Sequence, residues 1–486
     1  MAHLEFIEPA AVQIGAERPL CVDLDGTLVK SDTLADSLMV LARRHPRAFL
    51  RTPAWALKGK AYLKSQVASM VALDVTYLPY NRPLLDYLRD EHAGGRKLYL
   101  ATGADGVLAR RIAAHLGIFD GVMASDGRVN LTGNNKLLHL ERRFAADGFD
   151  YIGNALSDLP LLQGARQAML ANPDLRLNSA IKSRDIPVTR RFLDRSRLPF
   201  ALMKALRVHQ WAKNLLVFLP FLLAHSFRAA SLLKAVAAFF CFSLTASATY
   251  IFNDLLDLEQ DRMHLNKRKR AFAAGDLPVS TGLGIAPLFT VLALTTAAYL
   301  SRAFLAYLLL YLVTTLAYSL ALKRIVLVDV VILSSLYTVR MLAGAAATRT
   351  PVSPWLAAFS VFLFLSLAMV KRFSELRNLN ARGMNPTNGR GYILSDIEQL
   401  RSFGTSSAYA SVVIFALYIS GHDVMALYHH PNRMWLMTPL MILWLSRIWL
   451  LASRGLLNED PVVFALTDRM SLLLGLGVLL TAYSAI

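Results

Sequence analysis

From about residue 205 the chain consists of long apolar runs separated by short charged loops. That feature constrains the fold more than any other, because a soluble core cannot bury so many such runs. A helix needs roughly 20 apolar residues to cross the hydrocarbon layer. Inside that layer every backbone polar group must be satisfied within its own segment, which makes each run a helix. Nine candidates emerge: 209–226, 231–252, 282–300, 303–321, 325–348, 354–371, 407–422, 433–452 and 470–486.

The loops orient them. With the N-terminus inside, one side holds Arg262, Lys267, Arg268, Lys269 and Arg270; Lys323 and Arg324; Lys371, Arg372, Arg377, Arg382, Arg390 and Arg401; and Arg447, Arg454 and Arg469. The other side holds little beyond Arg228, Arg302, Arg349 and Arg433. That bias marks the first side as cytoplasmic. The formal net charge of +18 is then largely topological, and no nucleic-acid partner is expected. Two scattered cysteines, Cys21 and Cys241, make neither a disulfide framework nor a metal knuckle. The N-terminal stretch lacks the basic start and apolar core of a signal peptide. The expectation is a multi-pass protein of the inner (cytoplasmic) membrane, with residues 1–195 as a cytoplasmic domain and 196–486 as the membrane domain.

Residues 20–29, LCVDLDGTLV, run from an apolar strand into Asp23-Leu24-Asp25-Gly26-Thr27. Two carboxylates two apart at a strand end point the same way, and a following glycine permits a sharp turn. Further on, KLYLAT ends in Thr102, GNNKLLHLERRF holds Lys136, and FDYIGNALSDLP holds Asn154 and Asp158. These four pieces, in this order, resemble the haloacid dehalogenase-like phosphatases over about residues 18–190. The resemblance implies a Rossmann-like α/β fold with a helical cap in residues 30–90. It makes Asp23 the nucleophile and Asp25 the general acid and base. Thr102 and Lys136 then hold the phosphoryl group, while Asp158 binds Mg²⁺ with Asp23. Asn154 stands where the family usually has an acid; an asparagine can still ligate or orient Mg²⁺, with one charge fewer.

The second greasy run ends in NDLLDLEQD, residues 253–261. On a helix, Asn253, Asp257 and Asp261 share one face, and their oxygens suit Mg²⁺ carried with a diphosphate. Basic residues follow at 267–270. In this setting the motif resembles the UbiA superfamily of intramembrane prenyltransferases, an all-α membrane fold of about nine helices. Members acting on aromatic acceptors carry a second aspartate-rich motif after the sixth helix; here that place reads VKRFSELRNL, with Lys371, Arg372 and Glu375. One acidic and one basic motif suit a Mg²⁺-bound diphosphate and a second, metal-free phosphate. RVHQWAKNLLVF, VRMLAGAAA and NEDPVVFALTDR likewise resemble the decaprenyl-phosphate phosphoribosyltransferase branch.

That branch implies phosphoribosyl diphosphate and a polyprenyl phosphate as substrates, Mg²⁺ as cofactor, and a role in lipid-linked ribose or arabinose donors for envelope glycans. Lys213, Lys267, Arg268, Lys323, Lys371 and Arg372 become candidates for the phosphates, although each could equally be a topology signal. Tyr318, Asp329, Arg340, Asp460 and Asp468 are either pocket residues or satisfied packing. An aromatic prenyltransferase with an appended phosphatase or regulatory domain is the alternative, and a transporter-like protein with a regulatory domain is a third reading. Prenyl length and oligomeric state stay open, a homo-oligomer included.

Overall fold

The computed structural model describes residues 18–145, 148–225, 228–381, 383, 390–426, 428–457 and 461–486. The chain divides into two compact units. The first takes the described part of Met1–Ala205 together with Ile251–Gly284, and the second Leu206–Tyr250 with Ile285–Ile486.

The first unit is built on a six-stranded sheet: β1 (Leu20–Val22), β2 (Leu98–Asp105), β3 (Gly121–Ser125), β4 (Asp150–Gly153), β5 (Ala168–Ala171) and β6 (Val188–Phe192). The strand order is β3-β2-β1-β4-β5-β6, and every pairing is parallel. Both faces of the central strands are covered, so those strands are largely apolar, whereas the edge strand β6 exposes Thr189, Arg190 and Arg191. Leu20 and Val22 pack into one core with Leu98, Leu100 and Ile152, while Cys21 joins Ala101, Tyr151 and Leu170 in the other. The order places β1 centrally, so the carboxyl ends of β1, β2 and β4 open at one edge, where ligands of such sheets bind. Between β1 and β2 the chain is helical at Thr33–Arg44, Thr52–Leu57, Lys60–Met70 and Arg82–Ala93. The first three pack around Val40, Leu41, Trp55 and Val67, in the stretch where the sequence places a helical cap.

The membrane-type helices number fewer than nine. Among the described residues, seven are long and apolar enough to span, or eight if one bent pair counts as a span. The first candidate, 209–226, is the correction. Val208–Phe218 is a 3₁₀ helix of 11 residues, followed by the short α-helix Leu219–Leu223. Runs of 3₁₀ helix this long are uncommon, and two features account for this one. Asn214 and Trp211 donate side-chain hydrogen bonds to Ser243 and Ser247, both at 3.0 Å. Pro220 then brings no backbone donor. The ninth candidate is the bent pair, Pro461–Thr467 and Arg469–Ala485, at 80°. Asp468 holds the corner, accepting from the Ser471 amide and from Arg447 at 3.0 Å. Cys21 and Cys241 are both buried and unbonded to each other.

Helix Val328–Thr348 packs closely on the 3₁₀ segment. A Cβ at Gly344 would lie 2.0 Å from the Val217 carbonyl oxygen. Small residues let helix backbones approach in this way. Gly344→Ala is therefore expected to destabilise the second unit by at least about 2 kcal/mol, lowering its unfolding temperature in detergent. An unchanged melting curve would mean that the contact is not made.

Candidate functional site

β1 delivers Asp23 and Asp25 at its carboxyl end. Gly26 turns the chain at φ +77°, and a Cβ there would lie 2.1 Å from Asn154 Nδ2, so only glycine fits. The Asp25 carboxylate accepts the Thr33 amide at 2.8 Å, at the start of helix Thr33–Arg44, whose N-cap is Asp32. Lys136, fully buried, comes from helix Asn134–Arg143 and reaches Asp23 Oδ1 at 2.8 Å and the Tyr151 hydroxyl at 3.0 Å. Its ammonium also lies 3.7 Å from Asp158. Asp158 is held from three sides: Tyr151 donates to Oδ1 at 3.1 Å, and the amides of Asn154 and Ala155 donate to Oδ2. Thr27 donates to the Asn154 amide oxygen at 3.3 Å. Thr102 is buried at β2, its hydroxyl accepting the Ala104 amide. All six residues thus lie in or just after the adjacent strands β1, β2 and β4, or, for Lys136, on helix Asn134–Arg143.

The electrostatics favour cations. Burial raises the pKa of Asp23, and although Lys136 opposes the shift, Asp158 adds to it. Burial also raises Asp25, helped by Asp32 and Asp23. Burial acts against the Lys136 ammonium, but Asp23 and Asp158 outweigh it and raise its pKa. These carboxylates remain short of positive charge, and their hard oxygens with the Asn154 amide fit Mg²⁺. Among the described residues no three His, Cys, Asp or Glu side chains form a complete metal cluster. A Mg²⁺ here would therefore keep waters and substrate oxygens, as that ion commonly does.

The acidic motif also belongs to the first unit. Helix Ala229–Leu256 ends beside Asp257, which begins the short helix Leu258–Met263. Hydrogen bonds from the Asp257 amide to Asn253 O (2.9 Å) and from the Asp261 amide to Asp257 O (2.8 Å) set each of the three one helical turn after the last, while Asp257 itself, at φ −91° and ψ 8°, interrupts the helix between them. Arg270 bridges Asp254 (3.1 Å) and Asp261 (2.6 Å). Burial raises the Asp261 carboxyl to about 6, even against Arg270. Asp257 pairs through Oδ1 with Arg43, and Glu259 pairs with Arg44 at 2.6 Å. Asp257 Oδ2 and Asp261 Oδ1 make no hydrogen bond among the described residues, which leaves the motif two hard oxygens. That donor set fits a Mg²⁺ that keeps most of its ligands from water and phosphate. Lys267 and Arg268 are exposed on the 3₁₀ turn Lys267–Lys269.

The other basic candidates lie in the second unit. Arg372, 2% exposed, donates to Asp329 (2.6 Å), Glu375 (2.8 Å) and the Tyr318 hydroxyl (3.1 Å), and Arg390 also pairs with Glu375. Tyr318 and Asp329 are thus its partners. Lys371 and Lys323 are half-buried. Lys213 lies 5.9 Å from the Tyr337 ring centre, and Arg340 lies 5.3 Å from the same ring. Asp460 lies outside the described residues, as does Arg382.

A family model described as the UbiA prenyltransferase family matches residues 214–467. The chain belongs to this family. It is 39% identical to the uncharacterized protein y4nM of Sinorhizobium fredii over 94% of this chain and 89% of that one. It is 34% identical to the nodulation protein NoeC of Azorhizobium caulinodans, over 59% of this chain and 93% of that one. Against the decaprenyl-phosphate phosphoribosyltransferase of Mycobacterium tuberculosis the identity is 32%, over 60% and 96%. Among solved structures, a UbiA homologue from Archaeoglobus fulgidus bound to GPP and Mg²⁺ overlaps 58% of this chain and 99% of that one, at 18% identity and TM-score 0.45. A HAD family hydrolase from Salmonella enterica serovar Typhi overlaps 36% and 67%, at 13% identity and TM-score 0.27. The chain is a multi-pass membrane protein, consistent with the seven or eight helices among its described residues that are long and apolar enough to span.

Sequence reasoning missed Tyr151, Lys64, Arg43, Arg44 and the part played by Arg262. Lys64 donates to the Gly103 carbonyl (2.5 Å) and to Asn130 (2.9 Å). Burial lowers its pKa, against the pull of Asp25 and Asp32. None of these residues belongs to a spaced motif. Lys136→Met should leave Asp23 and Asp158 buried without their shared cation, costing about 3–5 kcal/mol. Adding Asp158→Asn should recover part of that. Denaturant titration of the variants checks both, and an unaltered midpoint for Lys136→Met would show that the ammonium does not hold the pocket together.

Proposed function

We propose that the protein transfers 5-phosphoribose from phosphoribosyl diphosphate to a polyprenyl phosphate, and that its α/β domain then removes the 5-phosphate. The observation that carries the transferase reading is the succession of Asn253, Asp257 and Asp261 at one-turn intervals, combined with a second motif whose Lys371 and Arg372 stand in place of acids. The 32% identity to relatives named decaprenyl-phosphate phosphoribosyltransferase supports it. The soluble domain and the motif would lie on the cytoplasmic side of the inner membrane.

In this reading, a lipid phosphate oxygen attacks the anomeric carbon of ribose. The carbon–oxygen bond to the diphosphate breaks, and the diphosphate leaves with the electron pair. A bound Mg²⁺ would supply charge neutralisation to that leaving group. Asp257 and Asp261 would hold it, with Asn253 orienting. A phosphate monoester is already nucleophilic, so no general base is needed. Lys213, Lys267, Arg268, Lys323 and Lys371 are the proposed phosphate contacts, while Arg372 holds Glu375 and Asp329 in place.

The second step is phosphate transfer to Asp23, with Asp25 protonating the departing 5-oxygen and then activating water against the aspartyl-phosphate. Lys136 and Thr102 would hold the phosphoryl oxygens.

Incubation with phosphoribosyl diphosphate and a polyprenyl phosphate, followed by mass analysis of the lipids, tests both steps. Asp257→Asn should lower transfer by at least about 100-fold through loss of a charge facing the metal-bound diphosphate. Transfer at the wild-type rate in that variant would overturn the assignment. Asp23→Asn should leave transfer intact and accumulate a lipid heavier by about 80 Da, the mass of one retained phosphate. If wild type and Asp23→Asn yield the same phosphorylated lipid, the α/β domain does not act on this product.

A further inference from the structure

The acidic motif is gripped by the helix that also closes the phosphatase-type pocket. Helix Thr33–Arg44 has 12 residues, about 18 Å of rise. Its first amide, Thr33 N, donates to Asp25. Its last turn carries Arg43 and Arg44. Arg43 donates to Asp257 Oδ1, to the Leu256 carbonyl at 3.1 Å and to Gln260 at 3.2 Å. The Leu256 carbonyl ends the long helix Ala229–Leu256, where carbonyls lack intrahelical partners and a cation is favoured.

An ordinary surface ion pair would carry little weight. This one is held by a second, buried pair two turns earlier on the helix. Asp36 is 0% exposed and accepts from Arg262 at 2.8 Å. Arg262 also donates to Ser31 at 3.1 Å. Arg43 itself is 28% exposed and Asp257 27%, so solutes reach both. Arg43 takes one oxygen of Asp257 and leaves the other available to a cation.

Resting on the transferase reading above, we propose that Arg43 is a substrate-binding residue of the transferase, supplied by the α/β domain: it aims Asp257 and gives its charge to the diphosphate. The acidic motif is then completed by an arginine more than 200 residues earlier in the chain. Arg43 and a metal act on the motif with opposite signs. Arg43 repels a bare cation and attracts the anion that follows it.

That opposition supplies the test, made on the full-length protein. Mn²⁺ binding is measured by electron paramagnetic resonance, and inorganic diphosphate binding is measured by calorimetry in the presence of Mn²⁺. Arg43→Gln should bind Mn²⁺ alone about threefold tighter or more, since a neighbouring positive charge is gone. It should bind diphosphate about tenfold weaker or more, since a charge-assisted contact is lost. KM for phosphoribosyl diphosphate should rise with the diphosphate Kd, and the unfolding temperature should stay within a few degrees of wild type. Arg43→Lys should restore much of the diphosphate affinity. Weakening of both ligands together would make Arg43 a structural clamp and overturn the proposal, as would no change in either. If wild type binds Mn²⁺ and diphosphate with the expected split but transfers nothing to polyprenyl phosphate, the proposed reaction falls while the role of Arg43 at the diphosphate stands.

Discussion

The arrangement of the first unit depends on one buried ion pair, Arg262 with Asp36. Two charges taken out of water cost several kcal/mol each, and mutual attraction offsets this only when further hydrogen bonds fill the remaining valences. Here the extra bonds come from Ser31, which donates to Asp36 at 2.6 Å and accepts from Arg262, and from the Ala273 carbonyl. The account is not complete, because Asp36 Oδ1 is buried with no partner. A leucine pair would be at least as stable in such a place. What an apolar pair would not provide is register. Arg262 can meet Asp36 in one alignment, and that alignment sets Arg43 on Asp257 and Arg44 on Glu259.

Two sets of carboxylates therefore sit in one unit and are handled differently. In the α/β pocket a single interior lysine serves two acids, with a tyrosine hydroxyl bridging Lys136 to Asp158. Nothing there moves without breaking buried bonds. In the membrane-edge motif the acids are served by arginines from outside the motif, Arg43, Arg44 and Arg270. Those partners are partly solvated, and guanidinium groups can be shared with phosphate oxygens. The first arrangement is a rigid pocket, and the second is a partly solvated rim of acids paired with arginines.

The sequence made the elements legible where short-range patterning decides them. The parallel sheet follows from short runs of three to eight residues, one stopping just before Asp23, one passing through Thr102 to Asp105 and one ending at Gly153. The one-turn succession of Asn253, Asp257 and Asp261 follows from a spacing of four, and the Asp257–Asn253 and Asp261–Asp257 backbone bonds keep it on either side of the break at Asp257. Hydropathy failed at 209–226, where the average is apolar but Trp211 and Asn214 seek hydroxyl partners on Ala229–Leu256 and twist the segment into 3₁₀ form. It could not find Arg43 at all. Nothing local distinguishes one arginine at a helix end from another, and its partner is separated from it by 214 positions.

The same limit governs the excess of basic residues. A positive-inside count assigns them all one cause, whereas the structure separates them by surroundings. Lys267 and Arg268 are solvated, as a topology signal requires. Arg372 is buried in Pro354–Ala381 and is matched by two carboxylates, so that cluster carries net negative charge before Arg390 is added. Arg340, equally buried in Val328–Thr348, has neutral partners instead: Asn214 at 2.9 Å, the Leu336 carbonyl at 2.7 Å and the Tyr311 hydroxyl at 3.0 Å. The faces of Tyr311 and Tyr337 lie 4.8 and 5.3 Å from its guanidinium, and such ring contacts strengthen when desolvated. A charge within a spanning helix is expensive and faces the bundle interior. Arg340 meets that cost with dipoles and ring quadrupoles, and Arg372 meets it with counter-charges. Arg340 therefore keeps its full positive charge inside the helical unit, whereas the charge of Arg372 is cancelled where it stands.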